Sequence, residues 1–100
     1  MSEQSQTIDE KVLQLRGQGQ GYARISRDLG LDRTADAQRA FRRALRRLPA
    51  VDAARVRGEE LSRLDRLAER VRADADRNEV DRARQLKSIA RMRDQVSDDH

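Results

Sequence analysis

Apolar residues recur every three or four positions through most of this 100-residue chain, and this spacing constrains the fold more than any other feature. It places apolar side chains on one face of an α-helix, whereas a half-buried strand needs strict alternation. Glycines and a single proline interrupt this spacing and mark expected helix ends: Gly17, Gly19, Gly21, Gly30 and Pro49. The sequence therefore predicts an all-α fold built from amphipathic helices.

The apolar content is low for a globular protein. Only 36% of residues are hydrophobic, 40% are charged, and Tyr22 and Phe41 are the only aromatic residues. This scarcity argues against a single thick core, so thin helical layers or a core completed by a second copy fit better. High charge is also typical of disorder, but the regular apolar spacing argues against it. We expect disordered tails only at residues 1–6 and 97–100, which carry no periodic apolar signal.

The first two helices are expected at residues 7–17 and 22–29. Thr7 followed by Glu10 is a capping box, in which each side chain satisfies a free backbone amide at a helix start. We expect Gly30 to end the second helix in the left-handed conformation. The inward candidates of this second helix are Ala23, Ile25 and Leu29.

The third helix is expected at residues 34–48. Asp32 or Thr34 is its expected cap, and Pro49 closes it because a residue before proline is pushed out of the helical region. Its buried stripe is predicted to contain Ala37, Phe41, Ala44, Leu45 and Leu48. Arginines cover the remaining surface of this helix.

The second half, residues 49–96, is expected to form a helical oligomerisation or interaction region. Helices are predicted at residues 51–76 and 79–96, with a bend at Arg77 and Asn78 between them. Spacings of three and four residues are typical of a coiled-coil seam. The two helices form either an antiparallel hairpin or one long interrupted coiled coil. The oligomerisation candidates are Leu61, Leu64, Ala68, Val71, Leu86 and Ile89.

The net charge of +4 lies entirely in the first half. Residues 1–48 contain ten basic and six acidic residues, and residues 49–100 contain twelve of each. Between Arg33 and Leu48, six arginines stand against one acid, Asp36. Because GC-rich codon usage can raise arginine content without function, the segregation of the charge carries more weight than its amount. Such a stripe attracts polyanions.

A short helix, a glycine turn and a basic third helix together predict a helix-turn-helix DNA-binding domain at residues 7–48. In this arrangement the third helix lies in the major groove with its N-terminal side chains at base edges. The candidates for reading bases are Arg33, Thr34, Gln38 and Arg39. The candidates for contacting phosphates are Tyr22, Arg24, Arg27, Arg42, Arg43 and Arg46. For Tyr22, a partly buried core position is an equally good interpretation.

Two stretches resemble known families. Tyr22-Ala23-Arg24-Ile25, Leu29-Gly30-Leu31, Thr34 and the run from Arg39 to Leu45 resemble the trihelical helix-turn-helix domains of bacterial and phage regulators. More loosely, the segment from Glu59 to Leu67 and the stretch from Asn78 to Val96 are similar to small terminase subunits of actinobacterial phages. The second resemblance implies a ring or dimer. Those subunits usually carry a basic or disordered extension, and these 100 residues contain none.

The sequence offers little for catalysis. The chain has no cysteine, and its single histidine is His100. No carboxylate pair is visibly set in an apolar pocket, where a shifted pKa would mark acid–base chemistry. We therefore expect no enzyme activity, no cofactor and no metal site. No apolar run approaches the roughly 18 residues of a membrane span and no signal peptide opens the chain, so we expect a cytoplasmic, nucleoid-associated protein without a membrane partner.

These features favour a protein that binds double-stranded DNA as a homodimer or larger homo-oligomer, either a transcriptional regulator or a DNA-organising protein. One alternative is a terminase-like subunit that recognises phage genome DNA for packaging. Another is a helical module that binds proteins instead of DNA. In that case the C-terminal seam binds a protein partner, and the basic helix docks on an acidic surface.

Overall fold

The computed structural model describes the backbone of residues 2–97 and the side chains of residues 7–97. Within that range the regular elements are α-helices, which confirms the all-α prediction. Their bounds are α1 Ser2–Gly17, α2 Tyr22–Asp28, α3 Thr34–Arg47, α4 Ala50–Ala73 and α5 Glu79–Ser97. The chain divides into two compact units after Pro49. The tail predictions for Met1 and for residues 98–100 lie outside the described residues.

Two helix ends differ clearly from the sequence prediction. Helix α1 begins at Ser2, before the predicted start at Thr7, and therefore includes residues 2–6 of the predicted tail. Glutamate and glutamine favour helix even without an apolar face, which is why the helix continues through a polar segment. Helix α4 ends at Ala73 instead of near residue 76.

In the first unit, α3 packs against both α1 and α2. The fully or nearly buried apolar side chains are Val12, Tyr22, Ile25, Ala37, Ala40, Phe41, Ala44 and Leu45. Tyr22 meets Phe41 edge to face, with ring centroids 6.0 Å apart, a favoured aromatic geometry. The two aromatic residues of the chain therefore lie at the centre of this small core.

The connection between α2 and α3 is fixed by three local features. Gly30 has φ 70°, which confirms the predicted left-handed conformation. The Leu31 amide donates to the carbonyl of Ser26 at 2.8 Å. The Ser26 hydroxyl, which is buried, donates to the carbonyl of Arg33 at 2.9 Å. Ser26 thereby ties the last turn of α2 to the first residue before α3. The prediction that Ala23 points inward is wrong, because its side chain is exposed.

In the second unit, α4 and α5 pack together within one chain. Arg93 binds Asp65 with 2.9 Å between Nε and Oδ1, and Arg57 donates to the carbonyl of Val96 at 3.2 Å. Early residues of α4 therefore face late residues of α5, so the helices run antiparallel. Of the two sequence alternatives, the structure has the hairpin. Its core contains Leu64, Ala68, Val71 and Ile89, flanked by Leu67, Leu86 and Met92.

A single arginine organises the turn of this hairpin. Arg82, in the first turn of α5, donates to the carbonyls of Val71 (3.3 Å), Asp74 and Arg77 (3.1 Å). It also forms an ion pair with Glu79. The last carbonyls of a helix have no i+4 amide within that helix, and here Arg82 of the next helix adds a donor to the Val71 carbonyl in the last turn of α4.

No helix among the described residues is both long enough and apolar enough to cross a membrane.

Candidate nucleic-acid interface

The surface of α3 that faces away from the core is dominated by arginine. Core residues occupy one side of the helix, from Ala37 to Leu45. A helix of 3.6 residues per turn then places Arg39, Arg42 and Arg46 together on the opposite side. Arg39 and Arg46 are exposed, and Arg42 is half-buried. This surface, defined by Arg39, Arg42 and Arg46, is called the arginine face below.

The N-terminus of α3 is organised by Asp36. Its Oδ2 accepts the backbone amide of Arg33 at 3.0 Å, and its Oδ1 pairs with the Arg39 guanidinium. The N-cap is Arg33, so the expectation of Asp32 or Thr34 as the cap is wrong. The amide of Arg33, followed by the contacts with Arg39, holds the pKa of Asp36 below its usual range. Asp36 remains a carboxylate at neutral pH and stays paired with Arg39.

The four predicted base-reading residues lie at or near this N-terminus. Arg33, Thr34 and Arg39 are exposed, whereas Gln38 is half-buried. The structure thus brings three of them to the accessible end of α3. The ion pair with Asp36 restrains Arg39, because one guanidinium nitrogen of Arg39 is held at Oδ1 of the carboxylate.

The predicted phosphate-contact residues separate into distinct environments. Tyr22 is only 8% exposed and packs against Phe41 and the Arg16 guanidinium. Tyr22 thus occupies the core position that is its alternative interpretation, and its role as a phosphate contact stays a prediction. Arg24 and Arg27 are exposed on α2, and Arg24 pairs with Asp28 at 3.6 Å.

A buried carboxylate on α1 joins the basic helix to the core. Asp9 is 0% exposed. Arg43 reaches both of its oxygens, with Nε–Oδ2 of 3.0 Å and Nη2–Oδ1 of 2.9 Å. Arg47 donates Nη1 to Oδ2 at 2.7 Å. Arg43, a predicted phosphate contact, is thus held by α1 while its side chain stays 42% exposed.

The ionisation of Asp9 is set by two opposed effects. Burial alone raises the pKa of a carboxyl group, but hydrogen bonds and charge from Arg43 and Arg47 outweigh burial and leave the pKa of Asp9 below its usual range. A carboxylate with a lower pKa in the folded state stabilises the fold above the pKa of the unfolded chain, about 3.9. That contribution is lost as the pH falls through the folded-state pKa.

We expect Asp9→Asn to lower the free energy of unfolding of the first unit by about 1–3 kcal/mol at neutral pH, the range for hydrogen bonds to charged groups. The difference from wild type should narrow as the pH falls below about 3.9, the pKa of the unfolded chain, and should close once the pH has fallen through the lowered folded-state pKa of Asp9. Tyr22 is the only tyrosine and tryptophan is absent, so intrinsic fluorescence during denaturation reports on this unit. Glu10→Gln, an exposed change on the same helix, is the control. A difference that persists unchanged to low pH would contradict the assignment.

The predicted oligomerisation residues are mostly used within the hairpin. Leu64, Ala68, Val71 and Ile89 are buried there, and Leu61 and Leu86 are half-buried. A second chain can reach the four buried side chains only if the hairpin opens. These four side chains therefore stabilise the hairpin itself, and their role in oligomerisation stays a prediction.

Among the described residues, no group of three or more histidine, cysteine, aspartate or glutamate side chains is placed to hold a metal ion. Comparison of the chain with protein families, with curated proteins and with solved structures gives no match. The functional argument therefore rests on the residues of this chain alone.

Proposed function

We propose that this protein binds duplex DNA, with α2 and α3 acting as a helix-turn-helix and α3 lying in the major groove. The observation that carries this proposal is the arginine face, which presents three guanidinium groups on the side of α3 away from the core. At a rise of about 1.5 Å per residue, a helix of this length spans about 21 Å. That is enough to follow the major groove across several base pairs.

The roles within this surface follow from position. Arg33, Thr34 and Arg39 at the N-terminus of α3 are the proposed base-edge contacts, because that end of a recognition helix enters the groove. Arg42 and Arg46, with Arg24 and Arg27 on α2, are the proposed phosphate contacts. Such contacts fix orientation without reading sequence.

The composition of the face favours nucleic acid over a protein partner. Protein-binding surfaces are anchored by buried aromatic or aliphatic side chains at their centre. The outer side of α3 carries arginine and Ala35, and its large apolar residues, Phe41 and Leu45, are buried in the core. A surface with several cations and no apolar anchor matches the phosphate backbone better than an acidic protein.

The proposal is tested by titrating the protein against a labelled duplex at two salt concentrations. Each phosphate neutralised releases counterions, so affinity should fall by on the order of a hundredfold between about 50 and 200 mM salt. No complex at micromolar protein in low salt would overturn the proposal. Salt-insensitive binding would also contradict it.

From the same basic surface we propose that the protein acts as a homodimer that organises DNA. A homodimer would double the phosphate contacts of one chain, and tight binding to many sequences would place the protein on the nucleoid as an organising protein. Competition between one operator-like duplex and scrambled duplexes separates this role from that of a regulator or a packaging subunit. The latter two would require a preferred site.

A further inference from the structure

Two neighbouring arginines of α3 share one carboxylate, and the three groups differ sharply in exposure. Asp9 is completely buried, whereas the side chains of Arg43 and Arg47 are 42% and 44% exposed. The Oδ2 atom of Asp9 accepts from both arginines, so the two guanidinium groups lie side by side. The carboxylate is behind them, on the core side.

The charges and donors of this group are not balanced. Among the side chains that the structure describes, two cations face one anion here, which leaves an excess of one positive charge. A guanidinium has five N–H donors, and Asp9 takes two from Arg43 and one from Arg47. The remaining donors belong to side chains that reach solvent. An anion with several acceptor oxygens satisfies both the charge and the donors.

We propose that Asp9 is a positioning residue that holds Arg43 and Arg47 as a preformed clamp for a backbone phosphate of duplex DNA. This inference rests on the proposed function and adds to it a residue of α1 that never touches DNA. A free arginine loses rotamer freedom when it binds, but side chains already fixed by a carboxylate lose less. The clamp also adds Arg47, which the sequence-based set of phosphate contacts does not include.

Positioning and simple charge attraction make opposite predictions for the same substitution. Removing the carboxylate raises the net charge by one unit, so attraction alone predicts tighter binding to DNA. The clamp predicts weaker binding, because Arg43 and Arg47 lose their fixed orientation. Asp9→Asn compared with Glu10→Gln therefore isolates the effect, since both variants remove one negative charge from α1.

The experiment measures duplex affinity by fluorescence anisotropy for wild type and both variants, at a temperature where Tyr22 fluorescence shows each to be folded. We expect Asp9→Asn to bind about tenfold more weakly, as for the loss of one charge-assisted hydrogen bond. Glu10→Gln should bind as tightly as wild type or more tightly. Affinity of Asp9→Asn equal to or above that of wild type would overturn the clamp and leave the proposed function standing.

A second variant covers the case in which Asp9→Asn does not fold. Replacing Arg43 and Arg47 together with lysine keeps both charges and lets each ammonium reach Asp9. Lysine lacks the planar fork that contacts a carboxylate and a phosphate at once. We expect about tenfold weaker binding from losing this geometry, and unchanged affinity would overturn the clamp.

The proposed function can also fail by itself. Wild-type protein that binds no duplex overturns it. The clamp is then judged by titrating inorganic phosphate and following the Arg43 Nε–H resonance by NMR. A shift in wild type that is absent in Asp9→Asn supports an anion clamp with another phosphate ligand, and no shift in wild type overturns the clamp as well.

Discussion

The Phe41→Ala variant is expected to lose about 3–5 kcal/mol of the free energy of unfolding of the first unit, the usual cost of removing a buried aromatic ring. Phe41 is 1% exposed and meets Tyr22 across the core. Small domains have little stability to spare, so we expect most of this unit to be unfolded at 37 °C. Denaturant titration followed by Tyr22 fluorescence measures the effect.

The control for this prediction is Phe41→Leu. It keeps most of the apolar volume and should cost only about 1 kcal/mol. Similar losses for the two variants would mean that the apolar volume of residue 41 is not what stabilises this core. A loss below about 1 kcal/mol for alanine would mean that the site is not close-packed.

Replacing Arg39, Arg42 and Arg46 together with glutamine is expected to weaken duplex binding at least about a hundredfold at low salt. The slope of log affinity against log salt should become shallower by about 0.9 for each phosphate that the variant no longer neutralises. All three side chains lie on the arginine face and none is fully buried, so the fold should survive. Anisotropy titrations at several salt concentrations give both quantities.

A matched triple variant separates a specific surface from general basicity. Arg66, Arg70 and Arg91 are exposed in the second unit, and changing them to glutamine removes the same charge. We expect only a severalfold loss for this control, because long-range attraction between exposed charges is screened by salt. Equal losses in the two triple variants would show that α3 is not the binding surface.

The bounds of the helices are predictable from the sequence where glycine and proline positions agree with the apolar periodicity. Gly30 adopts the left-handed conformation expected at the end of α2, and Pro49 follows the end of α3. The start of α5 at Glu79 also matches. These signals are local, because glycine permits positive φ and proline restricts its predecessor. They depend little on the rest of the chain.

Burial within a short helix is less predictable. Ala23 is exposed, whereas Ser26 is buried and bonded to the carbonyl of Arg33. Seven residues make barely two turns, too few for apolar spacing to fix the inward side. A serine that satisfies a backbone carbonyl can occupy a buried position, and hydrophobicity alone gives no sign of it.

The Asp9 contacts are the main part of the candidate site that sequence reasoning misses. Asp9 is separated from Arg43 by 34 positions and from Arg47 by 38. A charged residue is normally solvated, so the residue type alone gives no sign that Asp9 is buried. One signal is available in retrospect, because Asp9 lies three residues before Val12, on the buried side of α1.

Arg82 has a consequence for the order in which the second half of the chain takes shape. Chains emerge from the ribosome with the N-terminal end first, so residues 71 to 77 are available before Arg82. Until Arg82 emerges, the carbonyls of Val71 and Asp74 have only the backbone amides of Asp74 and Arg77 as partners, and the side-chain donors are missing. The hydrogen bonds of the turn after α4 are therefore completed by a residue that is synthesised after the turn itself.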